Sequence, residues 1–366
     1  MKSDMKYLIL TNHSYMLWQF RRELIGRLLE EGEVVISTPF VGHEHDFEAM
    51  GCRLIDTKLE RRTIDPVKDL KLYRFYQRFL AEEQPDAVIT YSIKPNIYGG
   101  YACRRRKIPY IVNVQGLGTA FQKRWIAALV TVMYRTALRG AKAVIFENSA
   151  NAKLFCRKRI TDKNRTVILH GAGVNLDHYA CRPYPDESAG IRFLFLGRIM
   201  KEKGVDELFQ AFGRLKEEYG DQVTLDLVGF FEDEYKETVQ RLADSGTVVF
   251  HGFQEDPRPY YEAAHCIVQP SYHEGMNNVN LEGAATGRAV ITSDIPGCRE
   301  AVRDCKTGYL AQVRDADSLY SCMRRFMQLT SKERASMGAN GRLLMEQVFD
   351  RKNVAAKVIQ VLHHNP

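Results

Sequence analysis

The chain of 366 residues lacks several of the patterns that assign a class at once. None of its eight cysteines (52, 103, 156, 181, 266, 298, 305 and 322) forms a C-x-x-C pair. No H-x3-H or carboxylate cluster has metal-site spacing either, so neither a zinc site nor a dithiol centre is expected. Several cysteines lie in apolar runs and read as reduced core thiols of a cytoplasmic protein. Long hydrophobic runs are also missing. In the first half the longest uncharged one, Trp125 to Tyr134, falls far short of the ~20 residues a spanning helix needs. Met5 to Thr11 leads directly into a polar turn, which is not a signal-peptide pattern. Gln115-Gly-Leu-Gly118 follows an apolar run but lacks the third glycine and the later acidic residue of a dinucleotide loop. That argues against nicotinamide binding. A soluble or membrane-peripheral protein without cofactor or metal is expected.

What is present is an alternation of short apolar runs with helical periodicity, across a length that suggests two domains. Strands are expected at 7–11, 34–37, 87–91, 110–114, 143–146 and 167–169, and again at 193–196, 224–228, 248–251, 266–269 and 289–292. Helical patterns lie between them, clearest at 20–31, 67–83, 124–139, 331–347 and 351–363. Short apolar strands alternating with helices imply parallel, doubly wound sheets. Arg182-Pro-Tyr-Pro-Asp-Glu-Ser188, with two prolines and no apolar periodicity, is the best linker. The expected division is therefore 1–182 and 183–348, followed by a terminal helical segment, 349–366.

Charge is unevenly spread. Residues 1–182 carry 30 Lys and Arg against 18 Asp and Glu, a net of +12, while the remainder nets −5. Between residues 87 and 165 there are 16 basic residues and only two acidic ones, Glu147 and Asp162. Such a field attracts polyanions, whether nucleic acid, an anionic membrane or a diphosphate. No nucleic-acid motif accompanies it, so nucleic acid is not an expected partner.

Two segments carry chemistry. In Ser271-Tyr-His-Glu-Gly-Met-Asn-Asn-Val-Asn-Leu-Glu282, Pro270 ends a buried-looking run, which puts Glu274 and Gly275 on a loop and Asn278 onward in a helix. With one carboxylate on the loop and the other inside the helix, both can face one cleft. Gly275 permits close approach of a ligand, and the amides near Gly275, Met276, Asn277 and Asn278 form an anion site. Carboxylates also suit sugar diols, since each oxygen accepts hydroxyl hydrogens. The second segment, Phe193-Leu-Phe-Leu-Gly197, is an apolar run followed by Arg198-Ile-Met-Lys-Glu-Lys-Gly204. A glycine after a strand with cations at the next turn makes a phosphate cradle, and Arg198 and Lys203 suffice to neutralise a diphosphate without metal.

G-R-x4-K-G followed by S-Y-x-E-G-x6-E resembles the retaining GT-B glycosyltransferases of family 4. The resemblance extends through 90–100 (TYSIKPNIYGG), 115–121 (QGLGTAF), 146–148 (FEN), 171–175 (GAGVN) and 294–300 (DIPGCRE), nearly the whole chain. It is similar in particular to the bacterial branch that builds capsule, exopolysaccharide or lipid-linked oligosaccharide. It implies an α/β fold of two doubly wound Rossmann-like domains with a cleft between them, the last helix crossing back to the first domain. It also implies a hexosyltransferase that keeps the donor's anomeric configuration. The nucleotide sugar is a substrate, with UDP the expected nucleotide, and the acceptor is an oligosaccharide or a sugar on a polyprenyl diphosphate. The place of work is the inner face of the plasma membrane.

Carried over by motif, Arg198 and Lys203 hold the diphosphate, Glu274 the donor-sugar hydroxyls and Glu282 the ribose, with Gly197, Gly275, Met276, Asn277 and Asn278 alongside. His251, Gly252 and Phe253 resemble the segment bordering the base. In the first domain Asn12, His13, Tyr15, Lys94, Gln115 and Gly116 are acceptor-side candidates. Gln115 stands where many family members have histidine, and His13 serves equally well as a helix cap. A phosphorylase or epimerase of the same fold is the nearest alternative.

Overall fold

In the computed structural model, residues 5–57, 65–116 and 124–363 are described. The chain divides into two compact units, Met1–Ala172 with Arg351–Pro366, and Gly173–Asp350. The first unit contains β1 (Met5–Leu10), α1 (Ser14–Glu31), β2 (Gly32–Thr38), α2 (Glu44–Met50), β3 (Arg53–Asp56) and α3 (Pro66–Glu83). It continues with β4 (Ala87–Tyr91), α4 (Gly100–Arg106), β5 (Tyr110–Val114), α5 (Arg124–Ala137), β6 (Ala143–Phe146), α6 (Ser149–Arg157) and β7 (Thr166–Ile168). The second unit contains β8 (Ile191–Leu196), α7 (Val205–Tyr219), β9 (Val223–Val228), α8 (Lys236–Asp244), β10 (Val248–Phe250), α9 (Arg258–Ala263) and β11 (Cys266–Gln269). After these come α10 (Asn278–Ala285), β12 (Ala289–Ser293), β13 (Gly308–Ala311), α11 (Ala316–Met327) and α12 (Ser331–Leu344), and α13 (Arg351–His363) returns to the first unit.

Both sheets are parallel. Their strand orders are β3-β2-β1-β4-β5-β6-β7 and β10-β9-β8-β11-β12-β13. Inner strands such as β1, β4 and β6 are largely apolar on both faces because helices cover both. In β1, Tyr7 and Ile9 pack towards α1 and α13, while Leu8 and Leu10 pack towards α3, α4 and α5. Strand order reverses between β1 and β4 in one sheet and between β8 and β11 in the other. Loops leaving adjacent strands to opposite sides open a crevice at such a point, where ligands of doubly wound folds bind.

The division falls ten residues before the expected boundary at 182. Residues 173–182 go with the second unit because Val174 and Tyr179 are buried in its core, and the Val174 amide donates to the Phe349 carbonyl at 2.7 Å. The Pro-rich segment is no slack linker either. The fully buried guanidinium of Arg288 donates to the carbonyls of Arg182 (3.2 Å) and Pro183 (2.9 Å), and Arg334 pairs with Glu187 at 2.7 Å. Strands β3 and β13, four residues each, were absent from the sequence expectation. Both are edge strands, and β3 has no fully buried position.

His265 pins the same corner. Its Nδ1 accepts from the Arg192 amide at 2.9 Å, and its Nε2 faces the Asp186 carbonyl at 3.3 Å. Burial holds the imidazole below its ordinary pKa, with Arg288 and Arg334 acting in the same direction and Glu187 opposing them. A depressed histidine pKa gives stabilisation that is complete above the unfolded value, about 6.5, and is lost as pH falls through the folded value. The melting temperature is therefore expected to fall between pH 7 and pH 5, and His265→Gln is expected to flatten that slope. A wild-type melting temperature constant across this window contradicts the assignment.

Candidate active site

The crevice of the second sheet is built from three loops whose backbones touch. The loop after β8 carries Gly197, Arg198 and Lys203, and the loop after β11 carries Glu274, Gly275 and Asn277. Gly204 closes the first loop at φ +72°, where an added Cβ would meet the Pro270 carbonyl oxygen at 2.1 Å, so a larger residue forces the two loops apart. The Tyr272 amide donates to the Glu202 carbonyl at 2.8 Å. Side chains complete the join, with Lys203 Nζ 2.6 Å and Asn277 Nδ2 3.3 Å from Glu274 Oε1. The third loop, after β12, supports these from behind. At Gly297 (φ +90°) a Cβ would meet the carbonyl oxygens of Glu274 and Gly275 at 2.7 Å, and the Asn277 amide donates to the Gly297 carbonyl at 2.7 Å.

That last bond alters one expectation. The Asn277 N–H belongs to the protein's own backbone network and is not offered to an anion. Asn277 also caps α10, its side chain accepting from the Asn280 amide at 3.3 Å. Met276 is buried in the apolar cluster with Leu281 and Ala284.

The two carboxylates face different elements. Glu274 is held by the cationic loop, whereas Glu282, in the middle of α10, is buried and accepts from the Tyr261 hydroxyl of α9 at 2.7 Å. Arg198 pairs with Glu232 from the loop after β9. His251 turns inward, its Nε2 2.7 Å from Asp226, which Arg192 grips at 2.7 and 3.0 Å. The imidazole meets the Tyr260 ring in a tilted contact, centroids 4.8 Å apart. Gly252 gives its carbonyl to the Gly229 amide at 2.8 Å, and Phe253, 59% exposed, meets Phe230 edge to face.

In the first unit, Asn12 and Ser92 bridge the reversal between β1 and β4 with a 2.7 Å hydrogen bond. Gln115 Nε2 points to Met16 Sδ at 3.2 Å. Gly116 is the last described residue of its turn; the rest, 117–121, lies outside the described residues. His13 sits at the N-cap of α1 without a side-chain cap bond and contacts the exposed Tyr15 ring. Lys94 is not brought to this group, because Asp69 of α3 holds its ammonium at 2.8 Å.

The basic field of this unit is in part structural. Arg104 donates to the Thr136 carbonyl, Arg135 to those of Lys158 and Arg159, Arg165 to those of Leu138 and Arg139, and Lys142 to that of Leu362. These carbonyls end α5, α6 and α13, where a cation meets the negative end of the helix. Arg105, Arg106 and Lys107 are exposed at the end of α4.

The chain is similar to known proteins over most of its length. Residues 190–328 match the family model for glycosyl transferases group 1, and residues 19–172 match that for a glycosyl transferase 4-like domain. With these two glycosyltransferase domains spanning most of it, the chain belongs to the glycosyltransferases. One relative is the N,N'-diacetylbacillosaminyl-diphospho-undecaprenol alpha-1,3-N-acetylgalactosaminyltransferase of Campylobacter jejuni, 25% identical over 83% of this chain and 84% of its own. Another is the capsular polysaccharide biosynthesis glycosyltransferase CapM of Staphylococcus aureus, 25% identical over 79% of each chain. Among solved structures, Anabaena HepE in complex with UDP superposes with a TM-score of 0.80 at 16% identity, covering 98% of this chain and 100% of that one. Sucrose-phosphate synthase of Thermosynechococcus elongatus does so with 0.77 at 19% identity, covering 98% of each. The fold of this glycosyltransferase is GT-B, with two Rossmann-like domains.

Sequence reading did not assign roles to Gly297, Tyr261 or Asp226. The signal for Gly297 was present in the Pro-Gly of 294–300; the other two are single residues inside a helix and a strand. Because Gly204 is both left-handed and in contact with a carbonyl, Gly204→Ala is expected to cost roughly 2–3 kcal/mol in chemical denaturation. Unchanged stability would show that the two loops are not held by this contact.

Proposed function

We propose that this glycosyltransferase moves a hexose or N-acetylhexosamine, with retention, from a UDP-linked donor to a sugar acceptor on a polyprenyl diphosphate, in surface-polysaccharide assembly. The observation that carries the donor half is the Lys203–Glu274 contact at 2.6 Å, which joins the two motif loops at the crevice of the second sheet. An incoming diphosphate competes with Glu274 for the ammonium. Lys203 and Arg198 then face the leaving phosphate, and the Glu274 carboxylate turns to the sugar hydroxyls. As the bond to the anomeric carbon breaks, negative charge grows on the phosphate and these cations stabilise it. The acceptor hydroxyl approaches the same face, and the departing phosphate takes its proton. Glu282 accepts from the ribose hydroxyls. The UDP and UDP-glucose named in the complexes of Anabaena HepE support a uridine donor, and the diphospho-undecaprenol in the name of the Campylobacter relative supports a lipid-linked acceptor.

Glu274→Ala, Arg198→Ala and Lys203→Ala are each expected to lower turnover at least tenfold with circular dichroism unchanged. A lost transition-state contact costs about 3 kcal/mol, so a hundredfold loss is in reach. Wild-type turnover is expected to survive excess EDTA. Near-normal rates in all three variants would remove the donor assignment, and chelation loss restored by Mg²⁺ would overturn the role given to the cations.

The membrane enters through the acceptor. No described helix is long and apolar enough to cross a bilayer, but α5 is apolar on two sides. Ala127, Val130 and Tyr134 face the core, while Leu129 and Val132 are 49% and 56% exposed. With Arg105, Arg106 and Lys107 on the same domain, this suits reversible docking on the anionic inner face of the plasma membrane. The enzyme is expected to float with anionic vesicles and to release as salt rises. Leu129→Glu with Val132→Glu is expected to reduce flotation while UDP binding persists. No flotation of the wild type at low salt would leave a soluble acceptor.

A further inference from the structure

The phenol of Tyr261 is fully buried and donates to Glu282 Oε2 at 2.7 Å, a contact with no part in the chemistry described above. We propose that Tyr261 is a positioning residue that sets the enzyme's selectivity for the ribose of its nucleotide, by fixing the carboxylate of Glu282 against α9. The proposal rests on the reading that Glu282 receives the ribose hydroxyls.

Three features make the contact rigid. Arg288 Nε donates to the Tyr261 carbonyl and Arg288 Nη2 to the Glu262 carbonyl, each at 3.0 Å, so a fully buried cation closes the C-terminal turn of α9. The Tyr179 ring meets the Tyr261 ring edge to face at 5.7 Å, which fixes the direction of the hydroxyl. Burial, with Glu282 beside it, pushes the Tyr261 hydroxyl far above the usual tyrosine range, so it remains a donor throughout the working pH range. A carboxylate has about four acceptor positions, and a donor locked to one oxygen selects the orientation in which the others are presented. The preceding residue extends the argument to the other end of the nucleoside. The Tyr260 ring lies against His251 at 4.8 Å in a tilted contact, in the segment that by resemblance borders the base, so one helical turn references both the base side and the ribose side of the proposed site.

The test uses the full-length enzyme with UDP, 2′-deoxy-UDP and 3′-deoxy-UDP as probes, measured by calorimetry and as competitive inhibitors of turnover. Wild type is expected to prefer UDP over at least one deoxy analogue. In Tyr261→Phe the affinity for UDP is expected to fall by about tenfold and that for the deoxy analogue by much less, so the preference narrows. The turnover loss is expected in the donor KM more than in kcat. Tyr261→Met provides the same comparison with a more adaptable side chain if Tyr261→Phe does not fold. A variant that binds all three nucleotides more weakly by one common factor, or that keeps the wild-type preference, overturns the proposal. Glu282→Gln separates the two claims. If it loses the preference while Tyr261→Phe keeps it, Tyr261 has no positioning role. If wild type shows no preference and Glu282→Gln matches it, the ribose reading of Glu282 has failed.

Discussion

Strands β8 and β11 lie side by side, and the loops that leave them diverge to opposite sides of the sheet. Backbone must close over backbone for the two loops to form one surface, and this happens where Gly204 rests on the Pro270 carbonyl and the Tyr272 amide reaches Glu202. A cation from one loop and a carboxylate from the other are then brought to 2.6 Å, partly withdrawn from water. A largely buried ion pair of this kind adds little net stability, because the desolvation of both charges offsets their attraction. In the proposed reaction the two members serve different parts of an anionic sugar ligand, the ammonium the phosphate and the carboxylate the hydroxyls. The loop at Gly297 serves the same end from behind, accepting the Asn277 amide and packing against the Glu274 and Gly275 carbonyls.

How far this could be read beforehand depended on whether the signal was local. Strands β4, β5, β6 and β11 begin and end where their apolar runs do, because a parallel strand covered on both faces has no polar alternation to blur its limits. The motif glycines and their charged neighbours were legible as loop residues, since they lie in the loops that leave β8 and β11. Edge strands β3 and β13 gave no such signal. The division of the chain was misjudged because two prolines suggest a linker, whereas Arg288, over a hundred residues later, holds those carbonyls inside the second domain.

The same distinction applies to charge. Counting cations between residues 87 and 165 suggested one broad attractive field, but Arg104, Arg135, Lys142 and Arg165 spend their donors on helix ends. Lys94 is likewise answered by Asp69. Sequence shows that a cation is present and not what it faces. Tyr261 is the converse case, an aromatic residue of a short helix to which the sequence assigned no role and which in the fold meets the buried carboxylate of Glu282.

The central claim is that the nucleotide sits on the second domain, with its diphosphate on Arg198 and Lys203. A crystal structure of the complex with UDP tests it most directly. The account predicts Lys203 Nζ turned from Glu274 to a phosphate oxygen, the Arg198 guanidinium on the same diphosphate and the ribose hydroxyls on Glu282. A nucleotide bound elsewhere, or one in this crevice with the Lys203–Glu274 contact intact and the phosphates in solvent, would contradict it.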